Sequence, residues 1–102
     1  MEQIISAVEF SARFKRTGDY RSAIFSERRA LMEELYATGR PIYCDMSYYV
    51  HEQDFYLVTK VGDHFRCGLY DHFENWRECH YYSECIDADG NRAWLMTGGR
   101  YD

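Results

Sequence analysis

The hydrophobic pattern of this chain changes its period once, near Pro41, which is the only proline among its 102 residues. Before Pro41, apolar residues recur at the spacing of an amphipathic helix, and after it they alternate with polar residues as in a half-buried strand. This length is enough for one domain, and no flexible polar tract separates the two halves. We therefore expect a single α+β domain over residues 1–102, with an N-terminal helical hairpin over 1–40 packed on a four- to five-stranded antiparallel β-meander over 41–102.

The first half carries start and stop signals for two helices. Ser6 and Glu9 match a capping box at the start of the first helix, and Gly18 suits its left-handed end. The second helix is expected from about Asp19 to Thr38. Because repeat arrays need neighbouring copies and no second copy follows, we interpret the segment as a single helical hairpin. It nevertheless resembles the inter-helix turn and second helix of a tetratricopeptide repeat in Gly18-Asp19-Tyr20, Ala23-Ile24 and Ala30-Leu31.

The second half is predicted to contain five strands joined by short turns. Gly62-Asp63 is a two-residue hairpin signal with glycine first, which favours a type II′ turn, and residues 72–78 are predicted to form a helical turn. One face of this sheet would pack on the helices, and the other would face water or a partner. The predicted strands are Ile42–Val50, Phe55–Val61, His64–Tyr70, Cys79–Ile86 and Arg92–Thr97.

Charge is unevenly distributed along the chain. Residues 1–40 hold six acids and seven bases, whereas residues 41–102 hold eleven acids and five bases, and the net charge is −5. Because duplex binding depends on clustered lysine and arginine, this balance argues against direct binding to duplex DNA. The bases of the first half fit a solvated helix face, or a weak contact with a phosphate or an acidic surface: Arg13, Lys15, Arg16, Arg21, Arg28 and Arg29.

Aromatic content is the most informative functional feature, because thirteen of the eighteen aromatic residues follow residue 40. That number exceeds what one face of a small sheet can bury, so several tyrosines should lie on the solvent face. Tyrosine offers a large contact area with a polar tip, and acidic residues between tyrosines would complement a basic protein. The predicted partner-binding residues are Tyr43, Asp45, Tyr49, Glu52, Asp54, Asp71, Glu74, Trp76, Glu78, Tyr82 and Glu84.

Chemistry other than partner binding has weaker support. Six potential soft metal ligands fall within 22 residues, but they include no Cys-x-x-Cys knuckle, and His64 and Cys67 would point to opposite faces of a strand. A zinc-binding domain built from these residues is the main alternative, and a small enzyme of unknown type is the third hypothesis. We assign no catalytic residue, cofactor or metal ligand. The six residues are His64, Cys67, His72, Cys79, His80 and Cys85.

The function predicted from the sequence is that of a small acidic, non-enzymatic protein-binding module. Its profile is similar, at the level of class only, to small inhibitors made by phages and mobile elements, anti-CRISPR proteins among them. That similarity implies an acidic, tyrosine-rich surface docked on a basic, nucleic-acid-binding effector protein, and homodimerisation is a further expectation. The sequence shows neither a signal peptide nor an apolar run of the ~20 residues that cross a membrane, so we expect a cytoplasmic protein with reduced thiols.

Overall fold

Two α-helices and eight strands form the part of the chain that the computed structural model describes, residues 3–45, 54–73 and 79–99. The helices are α1 (Ala7–Arg13) and α2 (Arg28–Tyr36), and a 3₁₀ turn over Phe25–Glu27 leads into α2. No helix within these ranges has the length and apolar content to cross a membrane. The strands are β1 (Ile4–Ser6), β2 (Phe14–Ala23), β3 (Ile42–Asp45), β4 (Asp54–Val61), β5 (His64–Cys67), β6 (Tyr70–Asp71), β7 (Cys79–Asp87) and β8 (Arg92–Gly99).

The strands form one mixed sheet in the order β2-β7-β8-β3-β4-β5-β6, with β1 added to β4. Neighbouring strands are antiparallel except for β3 and β8, which run parallel with Ile42 opposite Trp94. The first half of β4 pairs with β1 and β3, and its second half pairs with β5. The α+β class is therefore confirmed. The predicted meander of four or five strands is wrong, because the sheet has eight strands and a parallel pair near its centre.

The predicted helical hairpin is also wrong, because the first helix stops early and the chain continues as a strand. α1 ends at Arg13, and residues 14–23 pair along β7 as the edge strand β2. α2 starts at Arg28 instead of near Asp19. Pairing with the nine residues of β7 is a long-range interaction that local helix signals do not register. The resemblance to a tetratricopeptide repeat therefore does not extend to the fold.

A bulge interrupts the pairing of β2 with β7. Arg16 lies opposite Cys85 and Tyr20 lies opposite Ser83, so three residues of β2 face a single residue of β7. Gly18 lies in this bulge with a φ of 98°, a backbone conformation that favours glycine. The glycine predicted to end a helix serves the bulge instead.

Helices cover both faces of the sheet and create two cores. Tyr43 and Cys44 are neighbours in β3, yet Tyr43 is buried with residues of α1 and Cys44 with residues of α2. The prediction that one face of the sheet meets water is therefore wrong where α1 covers it. The α1-side core contains Ile5, Phe10, Phe14, Tyr43, Phe55, Leu57, Cys85, Ala93 and Leu95. The α2-side core contains Ala23, Leu31, Met32, Leu35, Ile42, Cys44, Val58, Phe65, Cys67, Phe73, Tyr82, Trp94 and Met96.

Aromatic residues fill both cores. In the α1-side core, Phe10 stacks on Phe14 with ring centroids 4.7 Å apart. Phe10 also packs edge-on against Tyr43 and Phe55, at 5.6 and 5.3 Å. Each buried aromatic side chain removes about 150–250 Å² from water, so a second core accommodates aromatic residues that a one-sided sheet would expose. Three further aromatic residues are fully buried in the α2-side core: Phe65, Phe73 and Tyr82.

Two tight turns follow β4. The predicted hairpin turn at Gly62-Asp63 is confirmed, with a φ of 62° at Gly62. A second turn at Gly68-Leu69 divides the predicted strand His64–Tyr70 into β5 and β6. Gly68 has a φ of 61°, and the Leu69 side chain is 85% exposed.

Two neighbouring residues of β8 test the two-core arrangement. We expect Leu95→Ala and Met96→Ala each to lower the free energy of unfolding by about 2–5 kcal/mol, because each side chain fills a different closed core. A sheet buried on one face would lose this amount at only one position. Urea unfolding measures both losses, with the half-exposed Val61→Ala as the control. A loss below about 1 kcal/mol at either core position would contradict burial of both faces.

The two turn glycines form a matched pair for a second test. A Cβ atom at Gly62 would meet no other atom within 4 Å, whereas at Gly68 it would lie 2.7 Å from Cδ1 of Tyr56. We expect Gly62→Ala to lower the free energy of unfolding by about 1–2 kcal/mol, from the left-handed backbone alone. Gly68→Ala should cost more, because the new methyl group must also displace the Tyr56 ring. Equal losses in urea unfolding would show that Tyr56 moves aside freely.

Candidate anion-binding pocket

The predicted tyrosine surface loses two of its members to the cores. Tyr43 is 4% exposed in the α1-side core, and Tyr82 is fully buried in the α2-side core. The predicted outward orientation of both residues is therefore wrong. Burial raises the pKa of Tyr82, with Cys44 acting in the same direction and the charge of Arg28 in the opposite direction.

The predicted acidic residues have different environments. Glu84 is buried, Asp45 and Asp54 are half-buried, and Asp71 is exposed. The carboxylate of Asp71 forms an ion pair with Nε of Arg66 at 3.1 Å. Among the predicted binding residues that the structure describes, only Asp71 is thus more exposed than half-buried. The others lie outside the described residues: Tyr49, Glu52, Glu74, Trp76 and Glu78.

The Cys/His set is divided between the two sides of the sheet. Cys67 lies in the α2-side core and Cys85 in the α1-side core. The rings of His64 and His72 stack with centroids 3.9 Å apart, and His80 is fully buried. All four cysteines are buried free thiols. Within the described ranges, no three His, Cys, Asp or Glu side chains are arranged to hold a metal ion.

A pocket of about 510 Å³ opens where several element ends meet. α1 ends there with Arg13, the segment from Thr38 to Arg40 follows α2 there, and the turn between β7 and β8 contributes Asp87 and Arg92. We call this cavity the arginine pocket. It is lined by Arg13, Phe14, Thr38, Gly39, Arg40, Pro41, Tyr43, Asp87, Asn91 and Arg92.

The chain that follows α2 sets the position of Arg40. The hydroxyl of Thr38 donates to the carbonyl of Leu35 at 2.6 Å and accepts from the backbone N–H of Arg40 at 3.3 Å. The backbone N–H of Trp94 donates to the carbonyl of Pro41 at 2.8 Å, which ties this segment to β8. The guanidinium of Arg40 consequently lies over the Trp94 ring, 5.9 Å from its centroid.

The carboxylate of Glu84 joins two of the pocket arginines. Nη1 of Arg40 donates to Oε2 at 2.9 Å, and Nη1 of Arg92 donates to Oε1 at 2.6 Å. The hydroxyl of Thr17, from the β2 bulge, also donates to Oε1 at 3.0 Å. Burial acts to raise the pKa of Glu84, but the hydrogen bond from Thr17 and the charges of Arg92 and Arg40 outweigh it and lower that pKa. The carboxylate of Glu84 is therefore ionised and binds both arginines within the protein.

Asp87 is the second carboxylate at the pocket, and it accepts hydrogen bonds from the turn that follows it. One carboxylate oxygen accepts the backbone N–H groups of Asp89 and Asn91 at 2.9 and 2.8 Å. The other oxygen accepts from the side-chain amide of Asn91 at 3.1 Å. Burial acts to raise the pKa of Asp87, but these bonds and the charge of Arg13 lower it. The pocket is lined by three arginines and Asp87, and when Glu84, which contacts two of these arginines, is included, the net formal charge is +1.

This arrangement can bind a further anion. A guanidinium carries five N–H donors in a planar fork that matches the oxygens of a carboxylate or phosphate. Arg40 and Arg92 each contact Glu84 through a single nitrogen, and their side chains are still 39% and 43% exposed. Both side chains thus stay partly exposed while Glu84 holds them in place.

Comparison with known proteins yields no match to any protein-family model, curated protein or solved structure.

Sequence reasoning singled out Arg13 among the basic residues and missed the other two pocket arginines. Arg40 and Arg92 lie in distant segments, and they meet because β3 and β8 start at the same end of a parallel pair. The only local signal is that each arginine lies at or just before the start of a strand. The position of an arginine near the start of a strand does not show which other residue it meets until the strand pairing is known.

Glu84→Gln tests the electrostatic role of the buried carboxylate. The amide keeps the shape but removes the charge that holds Arg40 and Arg92, so the variant should unfold at a lower urea concentration at neutral pH. The pKa of Glu84 is lower in the folded state than its usual value of about 4.3. Its stabilising effect is therefore present above that value and is lost as the pH falls through the folded pKa.

The stability difference between wild type and Glu84→Gln should consequently shrink below about pH 4. Asp71→Asn is the control, because the Asp71 side chain is 54% exposed and such ion pairs contribute about 0–1 kcal/mol. A Glu84→Gln difference that stays constant down to about pH 3 would contradict the proposed charge effect.

Proposed function

We propose that this protein is a non-enzymatic binding module that recognises a carboxylate or phosphate of its ligand in the arginine pocket. The observation that carries the proposal is the meeting of Arg13, Arg40 and Arg92, from three separate chain segments, at one cavity. Arginine is the residue best suited to planar, bidentate recognition of these groups.

A purely structural role for the arginines explains less of the geometry. Glu84 holds Arg40 and Arg92, yet the two arginine side chains stay 39% and 43% exposed. Arg13 is near enough to Asp87 for its charge to lower the pKa of that carboxyl group. The cavity of about 510 Å³ also falls within the usual range of small-ligand sites, roughly 300–1,000 Å³. A positively charged cavity of this size favours a ligand over a structural ion-pair network alone.

This proposal keeps the class of function predicted from the sequence and reverses the charge of the group that is recognised. Docking of an acidic surface on a basic effector, and the inhibitor role similar to that of anti-CRISPR proteins, stays a prediction. Asp45, Asp54 and Asp71 are its accessible described residues. Homodimerisation also stays a prediction. Buried free thiols suit a reducing compartment, so we propose the cytoplasm as the location.

Titration with inorganic phosphate at constant ionic strength tests the pocket directly. We expect shifts of backbone amide NMR signals from residues 38–40 and 87–92, and weaker binding in Arg13→Gln, Arg40→Gln and Arg92→Gln. A hydrogen bond to a charged group is worth about 1.5–3 kcal/mol, so each loss should weaken binding about tenfold or more. Arg13→Gln is the variant that leaves the hydrogen bonds of Arg40 and Arg92 to Glu84 in place.

Arg66→Gln is the matched control, because Arg66 lies on β5, near the opposite edge of the sheet, and pairs with Asp71. It should bind phosphate as the wild type does. The proposal fails if phosphate leaves the pocket signals unchanged, or if the control loses as much affinity as the pocket variants.

A further inference from the structure

Beside the arginine pocket, the α1 side of the sheet is only partly covered. α1 has seven residues, about 10 Å of helix, whereas β2 has ten residues and β7 nine, each about 30 Å of strand. Residues 15–22 of β2 are all exposed. On β7 the burial on this face decreases from Cys85, which is 1% exposed, to Tyr81, which is 40% exposed. A sheet surface therefore stays open beyond the end of α1.

Two tyrosines form an exposed pair on this open surface. Tyr20 lies opposite Ser83, and Tyr81 lies two residues from Ser83 on the same face of β7. Diagonal neighbours of this kind are about 7–8 Å apart, within reach of aromatic side chains. The Tyr20 side chain is 68% exposed and the Tyr81 side chain 40%. The two rings thus offer adjacent aromatic surface to a ligand, unlike the buried Tyr43 and Tyr82.

Arg16 lies between this tyrosine pair and the arginine pocket. It is opposite Cys85, on the same face as Tyr20, and its charge acts to lower the pKa of Cys85 against the larger effect of burial. Phe14, which lines the pocket, is opposite Asp87. From Asp87 to Ser83 is four residues of β7, or about 14 Å. The pocket, Arg16 and the tyrosine pair therefore follow one line, which we call the β2 track.

The charge along the β2 track is positive in a chain that is negative overall. Residues 13–22 contain four bases and a single acid, Asp19. Arg21 is paired with Glu34 at 2.7 Å, and Asp45 lies two strands away on the same face as the tyrosine pair. Arg16 shares the face of the tyrosine pair, whereas Lys15, opposite Ile86, and Arg21, opposite Tyr82, lie on the other face. Arg16 and the arginine pocket thus make the track complementary to a polyanion of limited length.

We propose that the β2 track binds single-stranded nucleic acid, with a phosphate in the arginine pocket and bases stacked on Tyr20 and Tyr81. The inference rests on the proposed function, because it takes the anion of the pocket to be a phosphate. Unpaired bases stack on aromatic side chains of an open sheet, while nearby cations hold the backbone. Duplexes hide their base faces, which agrees with the argument from net charge against duplex binding.

An acidic polypeptide fits the same surface less well. A peptide added to the free edge of β2 would need a regular ladder of backbone hydrogen bonds. The bulge around Gly18 interrupts that ladder in the middle of the strand, and charged edge residues such as Lys15 oppose strand addition. The surface therefore has to act through its side chains, and two exposed rings beside cations match bases and phosphates.

Fluorescence anisotropy with a labelled single-stranded oligodeoxynucleotide of about 12 nucleotides tests the track. We expect binding that weakens with salt and that is competed poorly by the same sequence as a duplex. Tyr20→Ala and Tyr81→Ala should each weaken binding about fivefold or more, while Tyr20→Phe and Tyr81→Phe keep most of it, because stacking needs the ring and not the hydroxyl. Leu69→Ala, on an exposed turn of β5–β6, is the surface control.

The outcomes separate this inference from the function on which it rests. Phosphate binding to the pocket without oligonucleotide binding, or with oligonucleotide binding that the tyrosine-to-alanine variants leave unchanged, overturns the β2 track and keeps the pocket. If the wild-type protein binds neither phosphate nor the oligonucleotide, the arginine pocket and the β2 track are both overturned. An acidic polypeptide, poly-glutamate, that binds as tightly with the same dependence on Tyr20 and Tyr81 assigns the surface to a protein partner and overturns the nucleic-acid inference.

Discussion

Burial of both faces of the central strands is the constraint on which the rest of this structure depends. Residues 42–44 of β3 and 93–96 of β8 have apolar side chains on both sides, so the parallel pair at the centre needs cover above and below. The chain supplies that cover with only seven residues of α1 and nine of α2. Such short helices protect the centre of the sheet and leave its ends and outer strands open. The arginine pocket and the β2 track both lie where helical cover runs out.

Local sequence signals predicted the parts of the fold that depend on local structure. The turns at Gly62-Asp63 and 87–91 follow from glycine and aspartate chemistry. The flanking strands were placed within two residues, except that the predicted strand His64–Tyr70 is divided into β5 and β6. The capping box was also correct, since the N–H of Glu9 donates to the hydroxyl of Ser6 at 3.1 Å. These interactions join residues that are close in sequence, so a single sequence shows them.

Strand pairing joins residues that are distant in the sequence, and the local patterns did not predict it. No local pattern in residues 14–23 indicates that they pair with β7, and no local pattern indicates that Arg40 and Arg92 line the same pocket. The orientation of Tyr43 was wrong because alternation was interpreted for a sheet with one buried face. The uninterrupted apolar run from Ala93 to Met96 is typical of a strand that is buried on both faces. That run indicates that Tyr43, on the neighbouring strand, can be buried on either face. The outward orientation predicted for Tyr82 was wrong for the same reason.

Electrostatics at the pocket follow from the same topology. α1 ends at Arg13 and α2 ends just before the segment that carries Arg40, so the partial negative charges of two helix C-termini support positive side chains there. Two guanidiniums side by side would repel each other, and the buried carboxylate of Glu84 removes that repulsion. The remaining formal charge is small and positive, and the proposed anion binding depends on it.

The bulge of β2 links the pocket to the β2 track. Thr17 belongs to the bulge, donates its hydroxyl to Glu84, and accepts the backbone N–H of Asp19 at 3.3 Å. The two extra residues of the bulge bring Thr17 to this carboxylate and also set the register that places Tyr20 opposite Ser83. An anion bound at Arg40 and Arg92 would lie next to Glu84, which is bound to the bulge through Thr17. The two pocket arginines and the bulge that sets the register of Tyr20 are therefore joined through the carboxylate of Glu84.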